Sequence, residues 1–391
     1  MTEPLLFSIA QGVLGKIASP ALQEAVAIYC VEDQIHELKK TLTAITAVLL
    51  DAEEQAKNHH LQLWLRWLRD VLYDAEDVLD ELECEVLRKR VISRYGGIKK
   101  KVHRFFSISN PLILRAKISH KIKEIRETLS KISIEKNRFD LNERSVDNGL
   151  ISSTTENLVG VDYIKVLWKR SLIQEVKEFE SILIFKMHDL VHSLATIVAQ
   201  DDCSIVGLDI VEISEGVRYI SFSSDSLEEI SNFDGVPPFM RKPTSKRLHA
   251  ITFQFNVDYG IITKEFARTC ISKCHHLRYL DLRFGSFEEL PSSICNLKLL
   301  RLLFLGYNKQ LKKLPDSICE LRNLLYLYLN GCSALGDLPK KMKRLISLRQ
   351  LYVTTKQMSL QESGIQYLEN LQLLGLTGCQ NLKVSLKALA D

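Results

Sequence analysis

A histidine pair with an aspartate between its members lies near the middle of the chain, in the segment FKMHDLVHSLA that begins at Phe185. On a helix, His188 and His192 would place both imidazoles on one face, as zinc requires. The segment differs from the HExxH motif of zinc proteases only in having aspartate where the motif has glutamate. However, Asp189 is one carbon shorter than their glutamate base, and no third ligand follows at a recognisable spacing. We therefore predict no metal here.

Two further segments resemble sites of chemistry without completing one. Cys270 and Cys274 lie in CISKCHH, but no second ligand pair follows at the distance of a zinc ribbon. The segment GVLGKI, residues 12–17, is the nearest approach to a phosphate-binding GxxxxGK[ST] loop. Its glycine spacing is wrong, and Ile17 stands where the magnesium-binding hydroxyl belongs. We expect no cofactor and no catalytic residue in this chain.

Carboxylates follow one face of a predicted helix in the N-terminal third, opposite a stripe of leucines. Like charges at this spacing repel by roughly 0.2 to 0.5 kcal/mol per pair, so the row mildly destabilises its own helix. The row is either a solvated face or a surface that a basic partner neutralises. The row consists of Asp70, Asp74, Asp77 and Glu81. The interaction motif predicted around it comprises Asp74, Glu76, Asp77, Asp80 and Glu81.

The charge reverses abruptly after this motif. Residues 70–87 contain eight acids and no base, whereas residues 88–123 contain twelve bases and no acid. The tract RKRVISRYGGIKKKVHRFF, from Arg88, fits a solvated loop, a nuclear-import patch or a site for anionic lipid. The formal net charge of +4 is too small to predict a specific nucleic-acid partner. Membrane association would be peripheral.

Amphipathic helices position the acidic motif. Apolar residues step by three and four along residues 31–52 and 61–86, which is the spacing of a helix stripe. A lone amphipathic helix leaves its apolar side in water, so these helices predict a bundle. The four predicted helices begin near Thr2, Val31, Leu61 and Leu114.

The C-terminal half repeats with a period of 23 or 24 residues, which is typical of leucine-rich repeats. Irregular strands at VRYISF, from Val217, and LHAITF, from Leu248, predict that the solenoid begins near residue 215. Three residues occupy the turn slot after their LxxLxL frames, so we interpret the two cysteines among them as structural: Asn308, Cys332 and Cys379. The frames contain Leu280, Leu303, Leu327, Leu351 and Leu374.

Polar and aromatic side chains alternate with the buried leucines on the predicted concave face, and such residues are typical of binding surfaces. Arg278, Arg301 and Arg349 share one register, where they either meet the acidic motif or remain solvated. The candidate binding residues are Arg278, Tyr279, Arg283, Arg301, Tyr326, Tyr328, Arg349 and Tyr352.

The cysteine count and the lengths of the apolar runs indicate the cellular compartment of the protein. Nine cysteines in 391 residues do not indicate a disulfide framework. No apolar run approaches the roughly 18 residues of a spanning helix, and the N-terminus lacks the bases of a signal peptide. We predict a cytoplasmic protein, and the basic tract leaves open the nucleus or the periphery of the plasma membrane.

Several of these motifs resemble parts of plant NLR immune receptors. WLRDVLYDAEDVLDE, from Trp67, is similar to the acidic signature of their N-terminal coiled-coil domain. NLVGVD, from Asn157, resembles the opening of their NB-ARC nucleotide-binding module, and LWKRSLIQEV with FKMHDLVHSLA resembles its winged-helix end. The resemblance implies a multidomain α plus α/β solenoid protein. Its parts would be a four-helix bundle over 1–140, a linker with a winged-helix remnant over 141–205, and a leucine-rich repeat solenoid over 206–391.

The same resemblance indicates that most of the nucleotide-binding module is missing. Only 24 residues separate Asp162 from Met187, whereas an intact module needs on the order of two domains, well over 200 residues. Intact family members bind ADP or ATP, and the histidine of their Met-His-Asp triplet touches the diphosphate. Met187, His188 and Asp189 match that triplet as a vestige, so we expect His188 to meet protein or nothing.

The function implied by the resemblance is that of an immune receptor in pathogen defence, and not of an enzyme. Its repeats and helical bundle would recognise a pathogen effector or a guarded host protein. Contacts between bundle and repeats would form within one chain or between chains, including with a full-length receptor. Two alternatives stay open: an ADP/ATP switch truncated here by the gene model or by deletion, and a product without activity.

Overall fold

The computed structural model describes residues 5–54, 59–95, 111–135, 139, 141, 173–179, 182–187, 189–199, 202–207, 212–222, 236–242, 247–253 and 262–382. The contacts divide the chain into two compact units. The first comprises Met1–Glu83 with His103–Gln200, and the second comprises Cys84–Val102 with Asp201–Asp391. The second unit therefore contains the end of one N-terminal helix together with the repeats. The predicted division into three domains stays a prediction.

Helices form the N-terminal part of the described chain, and there are five of them where the sequence predicts four. Ser19 caps the second helix by accepting a hydrogen bond from Leu22 N, and Pro20 occupies its first turn. Because proline has no N–H to continue the preceding helix, the first predicted helix divides here. The helices are α1 (Leu5–Ala18), α2 (Pro20–Tyr29), α3 (Glu32–Glu54), α4 (His59–Tyr95) and α5 (Pro111–Glu135).

The apolar stripes of these helices form a buried core, as their spacing predicts. On α3, Leu42, Ile45 and Leu49 are fully buried, and α3 packs against both α1 and α5. Trp64 on α4 is also buried and donates its indole N–H to Ile132 O on α5 at 2.8 Å. A buried indole needs such an acceptor, so this contact fixes the two helices against each other.

A hairpin and a helix complete the description of the first unit. Strands β1 (Ile173–Phe179) and β2 (Ile182–Met187) pair antiparallel, and α6 follows over Asp189–Ala199. The segment FKMHDLVHSLA is therefore strand up to Met187 and helix from Asp189. His192 lies on α6 and is exposed.

The second unit is built on one sheet of eight parallel strands in chain order. Strands of three or four residues stacked in this way form a leucine-rich repeat solenoid. The two predicted irregular strands are present, but the sheet begins at Cys203, before the predicted start near residue 215. The strands are β3 (Cys203–Val206), β4 (Tyr219–Phe222), β5 (Ala250–Phe253), β6 (Tyr279–Asp281), β7 (Leu302–Phe304), β8 (Tyr326–Leu329), β9 (Gln350–Val353) and β10 (Leu373–Leu376).

The second unit buries the leucines of its frames in register, with one helix, α7 (Lys264–Lys273), against the same core. Leu280, Leu303, Leu327 and Leu351 pair across successive strands and are fully buried. This register confirms the period predicted for the repeats.

The turn slot is filled by side chains that hydrogen-bond backbone carbonyls. Asn308 is fully buried and donates its amide to Leu282 O at 2.8 Å and to Leu305 O at 2.6 Å. Cys332 donates its thiol to Leu305 O at 3.2 Å. Burial raises the pKa of this thiol to about 12, which supports a structural role for it.

Candidate protein-binding surface

Two members of the acidic motif are neutralised inside the helical unit. Glu81 on α4 accepts hydrogen bonds from Lys117 Nζ at 2.8 Å and Lys121 Nζ at 2.6 Å, both on α5. Burial alone would raise the pKa of Glu81, but the two ammonium groups outweigh it and lower the pKa to about 2. Asp80 pairs with Lys16 on α1. Neighbouring helices therefore supply the countercharge at these two positions.

The other members of the motif differ in exposure. Asp77 is buried, whereas Asp74 and Glu76 are half-buried on α4. Their binding to the repeats stays a prediction.

A column of basic side chains immediately precedes the strands of the sheet. Backbone hydrogen bonds join successive members: Arg278 N donates to His249 O at 2.7 Å, and Arg301 N donates to Arg278 O at 2.8 Å. In the next repeat the equivalent position holds an apolar residue, Leu325, whose N–H donates to Arg301 O. Arg349 occupies the position after that, and its N–H donates to Leu325 O. The three predicted arginines therefore occupy one register. We call the basic column Arg218, His249, Arg278, Arg301 and Arg349.

The first two members of the basic column were not among the predicted binding residues. Arg218 and His249 are almost completely buried. Each is the second residue of an irregular strand segment, VRYISF or LHAITF, and aligns with Arg278 in LRYLDL. Aligning these segments with the regular frames would have revealed both residues.

An aromatic ladder crosses the concave face at the second outward position of the frames. Phe304, Tyr328 and Tyr352 pair across β7, β8 and β9, with ring centroids 5.1 and 5.2 Å apart. Tyr328 donates its hydroxyl to Gln350 Oε1 at 3.0 Å. Phe304, which was not among the predicted binding residues, is thus part of the same array.

The aromatic ladder ends against a glycine. Gly375 pairs with Tyr352 across β9 and β10. A Cβ atom at position 375 would lie 2.3 Å from Tyr352 Cδ1, far inside van der Waals contact. The ring of Tyr352 therefore lies directly over the backbone at Gly375.

Arg283 is held by partners in its own repeat and in the two neighbouring repeats. Its Nε donates to Asp281 Oδ2 at 2.8 Å, its Nη2 donates to Phe253 O at 3.0 Å, and its guanidinium lies 5.0 Å from the centre of the Phe304 ring. Burial raises the pKa of Asp281, and the guanidinium of Arg283 partly offsets that increase. Burial also raises the pKa of Tyr279.

The predicted binding residues therefore fall into two groups, one buried and one half-buried. Arg283 and Tyr328 are buried and support the array from within. The remaining predicted residues are half-buried and form the candidate surface: Arg278, Tyr279, Arg301, Tyr326, Arg349 and Tyr352.

The triplet and the cysteine pair offer little chemistry where the structure describes them. Met187 ends β2 and Asp189 begins α6, whereas His188 lies outside the described residues. Cys270 lies on α7 and Cys274 caps its C-terminus; both are buried, and burial raises both pKa values, that of Cys274 to about 12. Protonated thiols are poor metal ligands and poor nucleophiles.

Across the described ranges, no helix combines the length and hydropathy needed to cross a membrane.

Three family models match different parts of the chain. The Rx N-terminal domain matches residues 9–121, the Disease resistance protein Winged helix domain matches residues 144–195, and the Leucine-rich repeat region matches residues 261–390. The chain resembles plant NLR disease resistance proteins. These matches confirm the resemblance that the acidic signature, the triplet and the repeat period predict.

Curated relatives agree with the family models. Disease resistance protein RGA2 of Solanum bulbocastanum is 30% identical over 150 residues, which are 38% of this chain and 14% of the relative. Disease resistance protein RPP13 of Arabidopsis thaliana is 28% identical over 194 residues, which are 47% of this chain and 23% of the relative. The chain thus spans less than a quarter of the length of either relative.

Solved structures resemble the repeats only distantly. The LRR ectodomain of the Arabidopsis thaliana receptor kinase GASSHO1/SCHENGEN3, in complex with CASPARIAN STRIP INTEGRITY FACTOR 2, is 20% identical, with a TM-score of 0.30 and coverage of 42% of this chain and 20% of that chain. The leucine-rich repeat domain of the type III effector XopL is 14% identical, with a TM-score of 0.28 and coverage of 58% and 98%. Scores this low support no argument about function. The repeat assignment depends on the family match and on the sheet itself.

Proposed function

We propose that this chain acts in plant pathogen defence by binding other proteins through its repeats and its helical part. Its partner would be a pathogen effector or a host protein guarded against one. The proposal depends chiefly on one observation, the half-buried arginines of the basic column beside the tyrosines of the concave face. Arginine and tyrosine are the residue types that dominate binding energy at protein interfaces. The disease resistance relatives support the defence role.

We also propose that the acidic motif binds the basic column, within one chain or between this chain and a full-length receptor. The support is charge complementarity: the motif is acidic throughout, whereas the half-buried members of the column, Arg278, Arg301 and Arg349, are basic. Complementary charges speed association and select partners more than they add affinity. Asp74, Glu76 and Asp77 are the acids we assign to this contact, because Asp80 and Glu81 are paired with lysines of the helical unit.

We infer that the nucleotide switch of intact relatives is lost in this chain. The 391-residue sequence contains no GxxxxGK[ST] loop, and the backbone amides of such a loop, together with its lysine, hold the phosphates. ADP and ATP would accordingly be ligands of intact relatives and not of this protein. The function we propose requires no catalytic step, and it would operate in the cytoplasm, in the nucleus or at the periphery of the plasma membrane.

Charge reversal in the basic column tests the binding proposal. We would express the full chain fused to a proximity-labelling enzyme in leaf cells, as wild type and as the double variant Arg301→Glu/Arg349→Glu. A set of labelled proteins should be lost from the double variant. The matched control is Arg268→Glu, an exposed arginine on α7, which should leave the set unchanged. Identical sets for wild type and the double variant would contradict the proposal.

Nucleotide titration separates the proposal from the alternative of an intact switch. Calorimetric titration of the purified chain with MgADP and MgATP should show no binding tighter than about 10 μM, an affinity that requires roughly 7 kcal/mol. Tighter binding, or a transcript that encodes a phosphate loop between Asp162 and Trp168, would instead support a nucleotide-dependent receptor.

A further inference from the structure

The last three turns of α4 contact the repeats within the second unit. Glu85 accepts a hydrogen bond from Lys298 Nζ at 3.2 Å, and Cys84 donates its thiol to Lys298 O at 3.6 Å. Further along the helix, Arg94 forms a two-fold ion pair with Glu369. Two opposite ion pairs therefore join this segment, Cys84–Tyr95, to the repeats.

The pair nearer the helix middle is the buried one. Glu85 is 2% exposed, and Arg88, one turn later, places Nη1 3.5 Å from its carboxylate. A buried carboxylate is costly unless cations neutralise it, so Glu85 requires Lys298. The backbone at Lys298 is also fixed, because Asn323 Nδ2 donates to its carbonyl at 2.9 Å. We call Glu85 with Lys298 the inner pair.

The pair at the helix end is open to water. The Arg94 and Glu369 side chains are 54% and 60% exposed. Exposed ion pairs contribute little to stability, and salt screens them. We call Arg94 with Glu369 the outer pair, and we expect it to separate more readily than the inner pair.

The spacing of the two pairs matches between helix and repeats. Glu85 and Arg94 are nine residues apart, or about 13.5 Å along a helix. Lys298 and Glu369 each stand two residues before the first leucine of a frame, three strands apart, which is about 14 to 15 Å at the usual strand spacing. The helix presents acid then base, and the repeats present base then acid. Only one direction and one register satisfy both pairs.

We propose that Cys84–Tyr95 acts as a clasp on the edge of the repeats, held in one register by the inner and outer ion pairs. The clasp stays anchored at the inner pair and opens first at the outer pair. When the clasp opens, the repeat edge from β7 to β10 loses its contacts with α4 and becomes exposed to solvent. The clasp lies outside both the acidic motif and the basic column, so it goes beyond the function proposed above. Its opening requires no nucleotide.

Amide hydrogen exchange of the full chain tests the clasp. We expect exchange of amides 92–95 to accelerate at least threefold between 0.05 and 0.5 M NaCl, with a smaller change at amides 86–90. Lys298→Glu should accelerate amides 86–95 at least tenfold, and the swap Glu85→Lys/Lys298→Glu should restore most of the protection. Arg94→Glu should affect amides 92–95 alone, and Arg94→Glu/Glu369→Arg should restore them. Ordinary fraying of a helix end would not respond to these swaps.

Charge reversal at Lys312, which pairs with Glu288 where both side chains are more than 60% exposed, is the matched control. It should leave amides 86–95 unchanged. If Lys298→Glu also exposes the strands, then Lys298→Gln, which keeps most of the side-chain length, decides the outcome. The proposal is overturned if protection of 86–95 stays within twofold of wild type while the repeats remain protected, or if neither swap restores it.

Discussion

Glu53 and Glu81 are carboxylates of the same helical unit whose pKa values move in opposite directions. Glu53 lies at the end of α3 and accepts hydrogen bonds from Leu6 N at 2.7 Å and Phe7 N at 3.4 Å. Burial raises its pKa to about 7, and these two backbone bonds only partly offset the increase. Glu81 is largely shielded from solvent too, but two ammonium groups lower its pKa. The difference arises from the partner, because a full positive charge compensates burial better than an amide dipole.

Glu53 predicts a pH dependence that can be isolated by one substitution. Its folded pKa, about 7, is above the unfolded value of 4.5, so the folded state binds the proton more tightly. The free energy of unfolding should therefore rise as pH falls from 7 towards 4.5, by about 1 to 2 kcal/mol from this group after allowance for solvent. Glu53→Gln keeps an acceptor for Leu6 N and should remove this component. Urea titrations between pH 5 and 8 would show it, and equal pH slopes in both proteins would exclude it.

Glu81 predicts the opposite dependence. Its pKa is lowered from 4.5 to about 2, so its contribution to stability is present above pH 4.5 and is lost as pH falls towards 2. Glu81→Gln should lower the free energy of unfolding by about 1 to 3 kcal/mol at pH 7 and by progressively less in acid. Glu124→Gln, at an exposed site on α5, is the control. Equal losses for the two variants at pH 7 would show that the lysine pairs contribute nothing.

At this scale the sequence indicates residue types but not partners. The spacing along α4 placed a row of four carboxylates, from Asp70 to Glu81, on one face, and the run of twelve bases is equally visible. That Lys117 and Lys121 lie opposite Glu81 depends on how α5 packs against α4, which no local pattern specifies. Arg218 was missed for a different reason, since its repeat lacks the leucines that mark the frame.

Caps and turns determine where the elements begin and end. Ser19 ends one helix pattern and starts another, and the Ser-Pro pair is the sequence signal for that break. Strand β3 was missed because Ser204 occupies the position of the core leucine, as its pairing with Ile220 shows. The regular frames were predicted correctly because each leucine recurs at a fixed period.

Removal of the α2 cap should cost stability by a predictable amount. Ser19→Ala loses the hydrogen bond from Leu22 N at 3.2 Å, which at an N-cap contributes about 1 kcal/mol. Ser130→Ala, at an exposed position within α5, should change the free energy of unfolding by less than about 0.5 kcal/mol. Denaturant titration compares the two. A loss no larger for Ser19→Ala than for Ser130→Ala would mean that Pro20 alone starts α2.

The turn slot of the repeats offers a second comparison within one element type. Asn308→Leu removes the donor to Leu282 O and Leu305 O and should cost about 1 to 3 kcal/mol, because Leu282 O loses this donor while Leu305 O keeps the thiol of Cys332. Asn308→Cys should cost less, since Cys332 fills the equivalent slot and donates to Leu305 O. Thermal unfolding of both variants measures the order. If the leucine variant were the more stable one, the slot would be filled for packing and not for hydrogen bonding.

At the scale of the whole molecule, the chain divides into two compact units. Within the described residues, the buried cluster of the repeats runs from Val206 to Leu368, and the helices of the first unit bury their own apolar stripes. Proteins built from more than one domain depart from two-state unfolding. We expect calorimetry of the full chain to resolve at least two transitions. A single transition whose calorimetric and van't Hoff enthalpies agree would contradict this expectation.

The boundary between the two units was beyond prediction from the sequence. The apolar period of α4 continues without a break through Val86, so nothing in the pattern indicates a change at Cys84. The contacts that assign Cys84–Tyr95 to the repeats are long-range, from Glu85 to Lys298 and from Arg94 to Glu369. The resemblance implies that the bundle ends near residue 140, and that division stays a prediction.

The ring of Tyr352 over Gly375 also limits how this protein can diverge. A mutation that adds a side chain at position 375 must displace the tyrosine, so such changes require a second, compensating mutation. Gln350 and Leu373, at the neighbouring outward position, are half-buried and paired with each other across the strands. Descendants that acquire a new recognition specificity should therefore differ at 350 and 373 and retain glycine at 375.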